Sequence, residues 1–166
     1  MQIDYFWCNG CHKSHGYPRG QRKLCPLSAS REKNVRIFVY GTLRPSLYPH
    51  RRREAQGATG AKLVGNFKLW NLGVYPALVE DLKEHTIVGE TFELPNITMY
   101  DAYEGYIPNG KGLYDRKEVE IELEDGTKTS AWTYFMHAER FKESERWAEV
   151  IESGDWQDTL KRGAKA

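Results

Sequence analysis

The segment EVEIELEDG, residues 118–126, alternates acidic and apolar side chains along its first seven positions. Successive side chains of a β-strand point to opposite faces, so Val119, Ile121 and Leu123 share one face and the glutamates share the other. The Asp-Gly pair at 125–126 is typical of a tight turn between antiparallel strands. A second β-forming stretch follows at 129–136. The segment therefore predicts a hairpin with one buried face.

Other strands are expected on the N-terminal side of this hairpin. Residues 35–40 form a short run of β-branched and aromatic side chains that ends at Gly41. Residues 61–72, 75–79 and 85–94 have a similar character, with a turn at 71–73 between the first two. We expect all four segments to be strands of one sheet.

Three helices complete the expected fold. Residues 96–104 predict a short helix that Gly105 ends, and a second helix is expected to begin at 51–53, after Pro49. The third prediction is an amphipathic helix with Phe141, Ser144, Trp147, Ala148 and Ile151 on one face. Together the elements predict an α+β fold: a small mixed, mostly antiparallel β-barrel with flanking helices.

Length and charge divide the chain into a domain and an extension. Its 166 residues suffice for one ordinary domain, expected at 35–166, preceded by a short Cys/His-containing extension at 1–34. Residues 1–53 carry eleven Lys and Arg against two acids, whereas the remainder carries 13 bases and 21 acids. Such an asymmetry is compatible with an anionic partner for the basic end.

The composition also excludes some classes of protein. Hydrophobic residues make up 40% and charged residues 28%, which argues against a disordered chain. No apolar run approaches the roughly 18 residues of a membrane span, so no membrane association is expected. The N-terminus has no basic leader with an apolar core, and the expected location is the cytoplasm.

The extension contains a candidate zinc site. Cysteines 8, 11 and 25 with either His15 or His12 would supply a tetrahedral Cys₃His set, and the alternative is free cysteines in an arm. The literal C-x-x-C-H pattern also matches the motif for covalent haem attachment. We reject that interpretation because haem attachment requires an exported protein and the N-terminus does not have the pattern of an export signal. Basic and aromatic residues nearby could bind nucleic acid, and the alternative is a solvated arm whose charge balances the acidic domain.

Two short segments could carry chemistry. In Tyr40-Gly41-Thr42-Leu43-Arg44 the glycine would let backbone N–H groups converge on an anion, although such a strand end is often only a turn. Glu104 is the last residue before the glycine that should end a helix. There the negative end of the helix dipole would raise the pKa of its carboxyl, as a general acid/base requires. The alternative is a solvated surface glutamate.

These segments form part of a larger pattern. Val39-Tyr40-Gly41-Thr42-Leu43, Val74-Tyr75-Pro76-Ala77-Leu78, Val88-Gly89-Glu90, Asp101-Ala102-Tyr103-Glu104-Gly105 and Leu113-Tyr114-Asp115-Arg116 follow one another in this order. Over about residues 35–136 the chain resembles the gamma-glutamylcyclotransferase-like superfamily, and within it most closely the gamma-glutamylamine cyclotransferase branch. It departs from the family pattern at Tyr100, where an aliphatic residue is frequent, and in the long loop 106–112.

The resemblance implies a small barrel, an activity and a set of site residues. Glu104 would be the general acid/base, Tyr40, Gly41, Thr42 and Leu43 would bind a small gamma-glutamyl substrate, and Tyr114 and Tyr134 would line the pocket. The implied reaction is intramolecular attack of the glutamyl α-amine on the γ-carbonyl, which releases 5-oxoproline and an amine. It requires no metal or organic cofactor. The alternative is a catalytically inactive cyclotransferase-like scaffold whose basic arm contacts nucleic acid or a protein.

Overall fold

A computed structural model describes residues 3–8, 13–18, 34–48, 55, 57–108, 110 and 112–163. The chain forms two compact units, Met1–Asn34 and Val35–Ala166. In the first unit, strands β1 (Ile3–Cys8) and β2 (Lys13–Pro18) pair antiparallel, with Cys8 opposite Lys13 and Phe6 opposite His15. The predicted zinc ligands Cys11 and Cys25, and His12, lie outside the described residues. For Cys8 and His15 only the backbone is described.

The second unit is a mixed α+β fold dominated by strands. Its elements in chain order are β3 (Val35–Val39), β4 (Thr59–Asn71), β5 (Pro76–Leu94), α1 (Thr98–Glu104), β6 (Asp115–Leu123), β7 (Lys128–Phe135), α2 (Ala138–Phe141), β8 (Glu149–Val150) and α3 (Gln157–Gly163). The six strands have the order β5-β3-β7-β6-β4-β8, and β4 also pairs with β5. Only the β3–β7 pair is parallel among these described pairings. The predicted α+β class and mostly antiparallel sheet are confirmed.

The hairpin expected from the alternating segment is present as β6 and β7. Glu122 lies opposite Lys128, and the turn contains Gly126 at φ +82°, a left-handed conformation that favours glycine. Asp125 Oδ1 accepts a hydrogen bond from the Thr127 N–H at 2.8 Å, which stabilises the turn. Ile121 is buried and Glu120 is exposed, as the alternation predicts.

Strands β4 and β5 form a longer hairpin than predicted. The two strands expected at 75–79 and 85–94 are one continuous strand, because β5 pairs with β4 along both parts. The register shifts between Gly65, which faces His85, and Phe67, which faces Glu80. The polar stretch between the two parts, where Leu82 is 97% exposed, therefore bulges out without ending the strand.

The predicted amphipathic helix over 141–151 is wrong. Helix α2 ends at Phe141, turns follow, and β8 pairs with Trp70 and Asn71 of β4. The Ile151 N–H donates to the Leu69 carbonyl at 2.9 Å. Strand pairing along β4 thus replaces the backbone hydrogen bonds of a continued helix, and Trp147 is left exposed. The helix predicted to begin at 51–53 lies outside the described residues.

The core consists of two clusters of buried side chains, and β3 contributes to both. Ile37 and Val39 belong to one cluster, whereas Phe38 and Tyr40 belong to the other. This division follows from the alternation of side chains along a strand. Helix α1 packs on the first cluster through Tyr100, whose ring lies 5.9 Å from that of Phe92. Within the described residues, every helix is too short or too polar to cross a membrane.

Candidate functional site

A cavity of about 580 Å³ opens where β3 ends. Its walls come from the end of β3 and the loop after it, the turn before β5 and its first residue, the end of α1, the loop before β6, and β7. Its volume is within the range of about 300–1,000 Å³ that is usual for small-molecule sites. Its lining contains all seven residues expected at the catalytic and substrate-binding site: Tyr40, Gly41, Thr42, Leu43, Glu104, Tyr114 and Tyr134.

The loop after β3 requires glycine at 41 because another chain segment lies against it. A Cβ at this position would overlap the ring of Pro76, at the start of β5. The Arg44 N–H donates to the Gly41 carbonyl at 3.0 Å and closes the turn. The loop is therefore held close to β5, with Thr42 and Leu43 beside the cavity.

A buried ionic network anchors the other end of this loop. Arg44 Nε donates to Glu90 Oε1 at 3.1 Å, and Arg44 Nη1 donates to Asp155 Oδ1 at 2.7 Å. Both oxygens of Glu90 are engaged by Ser46, one by the backbone N–H at 3.0 Å and the other by the hydroxyl. Arg44 and Glu90 are almost completely buried, so the charges compensate each other out of water. Glu90 belongs to a segment of the family pattern, but sequence reasoning did not identify its partners.

Glu104 occupies the predicted position at the end of α1. Gly105 follows it with φ +63°, and the Gly105 N–H donates to the Ala102 carbonyl at 3.3 Å. This is a left-handed helix C-cap of the type that glycine favours. The helix thus ends at the cavity, and the half-buried Glu104 lines it.

The charge of Glu104 contributes to the pKa values of three buried tyrosines in the cavity. Burial is the main cause that raises the pKa of Tyr40, Tyr114 and Tyr134, and the nearby Glu104 carboxylate adds to it in each case. For Tyr40 the neighbouring Tyr114 contributes as well, and for Tyr134 a hydrogen bond to Asp101 does. A tyrosine is protonated at neutral pH even at its ordinary pKa of about 10, and the raised pKa keeps these three hydroxyls protonated in more alkaline solution as well.

Each of these hydroxyls donates a hydrogen bond to a defined acceptor. Tyr40 donates to the Tyr134 carbonyl at 2.9 Å, Tyr114 donates to the Pro76 carbonyl at 3.1 Å, and Tyr134 donates to Asp101 Oδ1 at 2.7 Å. These bonds connect the residue after β3 to β7, the residue before β6 to β5, and β7 to α1. The rings are thereby fixed in the wall of the cavity.

Helix α1 is also connected to β6 by an ion pair that sequence reasoning missed. Arg116 donates to both carboxylate oxygens of Asp101 at 2.9 and 2.7 Å, and its guanidinium lies 4.7 Å from the ring centre of Tyr106 and 4.9 Å from that of Trp132. Asp101 precedes Glu104 by three residues, about one helical turn. Both partners stand in the family pattern, but nothing in the local sequence indicates that they contact each other.

The cavity has a simple charge distribution. Of the described residues that line it, Glu104 is the only Asp, Glu, Lys, Arg or His. A carboxylate beside neutral hydroxyls can pair with an ammonium group and exchange protons with it. Within the described part of the chain, no group of three or more His, Cys, Asp and Glu side chains is arranged to hold a metal ion.

Comparison with known proteins places these residues in a family. The family described as "Gamma-glutamyl cyclotransferase, AIG2-like" matches residues 37–158. A protein of Methanocaldococcus jannaschii is 31% identical over 129 residues, which are 74% of this chain and 95% of that protein. The gamma-glutamylcyclotransferase family protein YtfP of Escherichia coli K12 is 30% identical over 129 residues, covering 75% of this chain and 97% of YtfP.

The fold agrees with that of solved structures. The crystal structure of a mouse AIG2-like protein superimposes with a TM-score of 0.54 at 22% identity, over 74% of this chain and 88% of the mouse chain. The family match, residues 37–158, covers most of β3, strands β4 to β8, the loop after β3 and the helix that ends at Glu104. The chain belongs to the gamma-glutamyl cyclotransferase, AIG2-like family.

Proposed function

We propose that this protein is a gamma-glutamylamine-type cyclotransferase with Glu104 as its general acid/base. The observation that carries the proposal is the position of Glu104 as the only carboxylate among the described lining residues, beside the hydroxyls of three buried tyrosines. Family membership supports the same class of activity. The strand pairing that runs from β5 through β3, β7, β6 and β4 back to β5 supports a small closed barrel as its scaffold.

The substrate would bind through its glutamyl group. We expect the α-ammonium to pair with Glu104 and the α-carboxylate to accept hydrogen bonds from backbone N–H groups of the loop 41–43, since glycine allows a close approach of the backbone. The γ-carbonyl would lie between these two anchors, within reach of the tyrosine wall. No residue of the protein is required as a nucleophile, because the substrate carries its own.

The proposed reaction closes a five-membered ring. Glu104 accepts a proton from the α-ammonium, the free amine attacks the γ-carbonyl carbon, and a new carbon–nitrogen bond forms. The bond to the leaving nitrogen then breaks, and both protons that the α-nitrogen loses end on the released amine. Positioning the two groups of one molecule can contribute about 7–11 kcal/mol to lowering the barrier. The products are 5-oxoproline and an ammonium ion, with no water consumed and no catalytic cofactor needed.

Release of 5-oxoproline from a panel of γ-glutamyl amides tests the activity and the role of Glu104 together. We expect turnover by the wild type and a decrease in kcat/KM of about 10²–10⁴-fold in Glu104→Gln, the usual contribution of a general acid/base. Glu118→Gln is the matched control, because Glu118 is exposed on β6. Absence of turnover of every member of the panel by the wild type would favour the alternative, a catalytically inactive cyclotransferase-like scaffold whose basic arm contacts nucleic acid or a protein. Turnover by Glu104→Gln at the wild-type rate would assign the proton transfers to another group.

The N-terminal extension has a separate proposed role. A structural zinc ion would be bound by Cys8, Cys11, Cys25 and His15, and the basic residues of the extension would contact nucleic acid. Metal analysis of the protein purified under reducing conditions is expected to give one zinc per chain, and none would refute the site. A salt-dependent mobility shift with DNA or RNA that disappears on deletion of residues 1–34 would support the contact.

A further inference from the structure

The mouth of the cavity is built from exposed apolar side chains. Val74, Tyr75, Tyr103 and Leu113 all line the cavity, and they are 79%, 38%, 59% and 46% exposed. They come from three separate segments: the turn before β5, helix α1 and the loop before β6. Single exposed apolar residues are ordinary on protein surfaces, but a group of them around a concave site indicates a binding surface.

The backbone holds these side chains at the mouth. The Leu72 N–H donates to the Tyr75 carbonyl at 3.0 Å and closes the turn that presents Val74 and Tyr75. The Leu113 N–H donates to the Gly105 carbonyl at 3.1 Å, so Leu113 is connected to the residue that follows Glu104. Gly112 lies so close to Gly105 that a Cβ would overlap its carbonyl oxygen. Leu113 is thus held near the proposed acid/base by backbone contacts, and Tyr103 directly precedes Glu104 in α1.

The mouth offers no described counter-charge for a charged group. Apart from Glu104, the described lining residues are apolar, aromatic, glycine or threonine. An ammonium or carboxylate seated against them would lose water without gaining an ion-pair partner among these described residues, which is unfavourable. An alkyl or aryl group would instead remove apolar surface from water on both sides.

We infer, on the basis of the proposed function, that the mouth is the leaving-group subsite and that it selects γ-glutamyl derivatives of apolar alkyl or aryl amines. The glutamyl group occupies the inner part of the cavity, at Glu104 and the loop 41–43. The amine substituent then extends outward over Val74, Tyr103 and Leu113. Amines whose far end is charged are disfavoured at this subsite.

Three substrates of similar length test the preference. Their leaving groups are pentylamine, putrescine and 4-aminobutanoate, which end in a methyl group, an ammonium and a carboxylate. We expect kcat/KM for the pentylamide to exceed that for each charged substrate by about tenfold or more, as for other apolar subsites. Equal values, or a preference for either charged substrate, would overturn the inference while leaving the cyclotransferase activity established. γ-Glutamyl methylamide, whose leaving group is too small to reach the mouth, reports that activity separately.

A single substitution tests the location of the subsite. Leu113→Asp is expected to reduce kcat/KM for the pentylamide and to increase it for the putrescine derivative, so that the ratio of the two falls about tenfold or more. Leu82→Asp is the matched control, because Leu82 is exposed on β5 and does not line the cavity. An unchanged ratio in Leu113→Asp would place the leaving group elsewhere.

Binding of unreactive analogues tests the apolar subsite even if no substrate is turned over. N-alkyl monoamides of glutaric acid lack the α-amine and cannot cyclise, so calorimetry can measure their affinity directly. We expect the affinity to increase about two- to fourfold per added methylene from methyl to pentyl, as burial of a methylene predicts, with a negative heat-capacity change. An affinity that is independent of chain length would refute an apolar subsite.

Discussion

Arg116 donates from its Nη1 to both carboxylate oxygens of Asp101, at 2.9 and 2.7 Å. The pair joins β6 to α1, and Asp101 stands one turn before Glu104 in the helix. The same Asp101 accepts the hydroxyl of Tyr134 at 2.7 Å. One carboxylate therefore determines the position of the helix end that carries the proposed acid/base and fixes one tyrosine of the cavity wall.

Replacement of this carboxylate by an amide should loosen both connections. Asp101→Asn is expected to lower the free energy of unfolding by about 1–3 kcal/mol, because a charge-assisted and partly buried hydrogen-bond acceptor is lost. It should also lower kcat through the shifted helix end, with a smaller effect on KM. Urea denaturation and steady-state kinetics measure the two effects. Glu80→Gln is the control, since the exposed Glu80–Lys117 pair should contribute less than about 1 kcal/mol.

Gly41 should not tolerate even one additional methyl group. A Cβ would overlap the Pro76 ring, so Gly41→Ala must displace the loop or the start of β5. We expect a loss of about 1–3 kcal/mol in the free energy of unfolding, as for overpacked sites, and an increase in KM for a γ-glutamyl substrate. At Gly65 a Cβ would meet Phe67 at 3.5 Å, an ordinary contact, so Gly65→Ala is the matched control. Equal effects of the two substitutions would contradict the close approach at Gly41.

The stability of the protein should depend on the buried ion pair between Arg44 and Glu90. Glu90→Gln leaves the Arg44 guanidinium with only Asp155 as a charged partner in its described surroundings. We expect the free energy of unfolding to fall by about 3 kcal/mol, at the lower end for a broken buried ion pair. Glu93→Gln on the same strand breaks the more exposed pair with Arg36 and should cost less than about 1 kcal/mol. Thermal or urea denaturation compares the two variants.

The buried tyrosines of the cavity should make the free energy of unfolding decrease at alkaline pH. Burial raises the pKa of Tyr114 in the folded state, so the unfolded chain loses this proton first, at about pH 10. The unfolded state then binds fewer protons, and the free energy of unfolding falls as the pH rises above about 10. Each such tyrosine contributes a slope of up to about 1.4 kcal/mol per pH unit.

The variant Tyr114→Phe isolates this effect. Between about pH 10 and 11.5 its free energy of unfolding should decrease less steeply with pH than that of the wild type, by up to about 1.4 kcal/mol per pH unit. Urea denaturation at several pH values measures the slopes. If both proteins have the same slope, Tyr114 ionises in the folded state as readily as in the unfolded chain.

Several features of the site could be predicted because they depend on neighbouring residues in the chain. The hairpin of β6 and β7 follows from strict alternation and an Asp-Gly turn, and the end of α1 follows from Gly105, which adopts the left-handed C-cap. The loop at Gly41 was recognisable as a strand end. These patterns, together with the family resemblance, were sufficient to select seven of the residues that line the cavity.

The contacts that position those residues could not be predicted from local patterns. Arg44 meets Asp155, 111 positions along the chain, and Arg116 meets Asp101 because β6 lies beside α1. The helix predicted over 141–151 failed for the same reason, since its spacing is helical but the edge of β4 supplies better backbone partners at 149–151.

The chain's own periodicity and glycine positions determined the class of fold and the hairpin, and the family resemblance supplied the candidate site residues. Folding decided which charges are paired, why position 41 must be glycine, and that the cavity has an apolar mouth. The physical reason is one of range. Alternation, capping and turns act between neighbours in sequence, whereas ion pairs, steric contacts and cavities arise only after distant segments pack together.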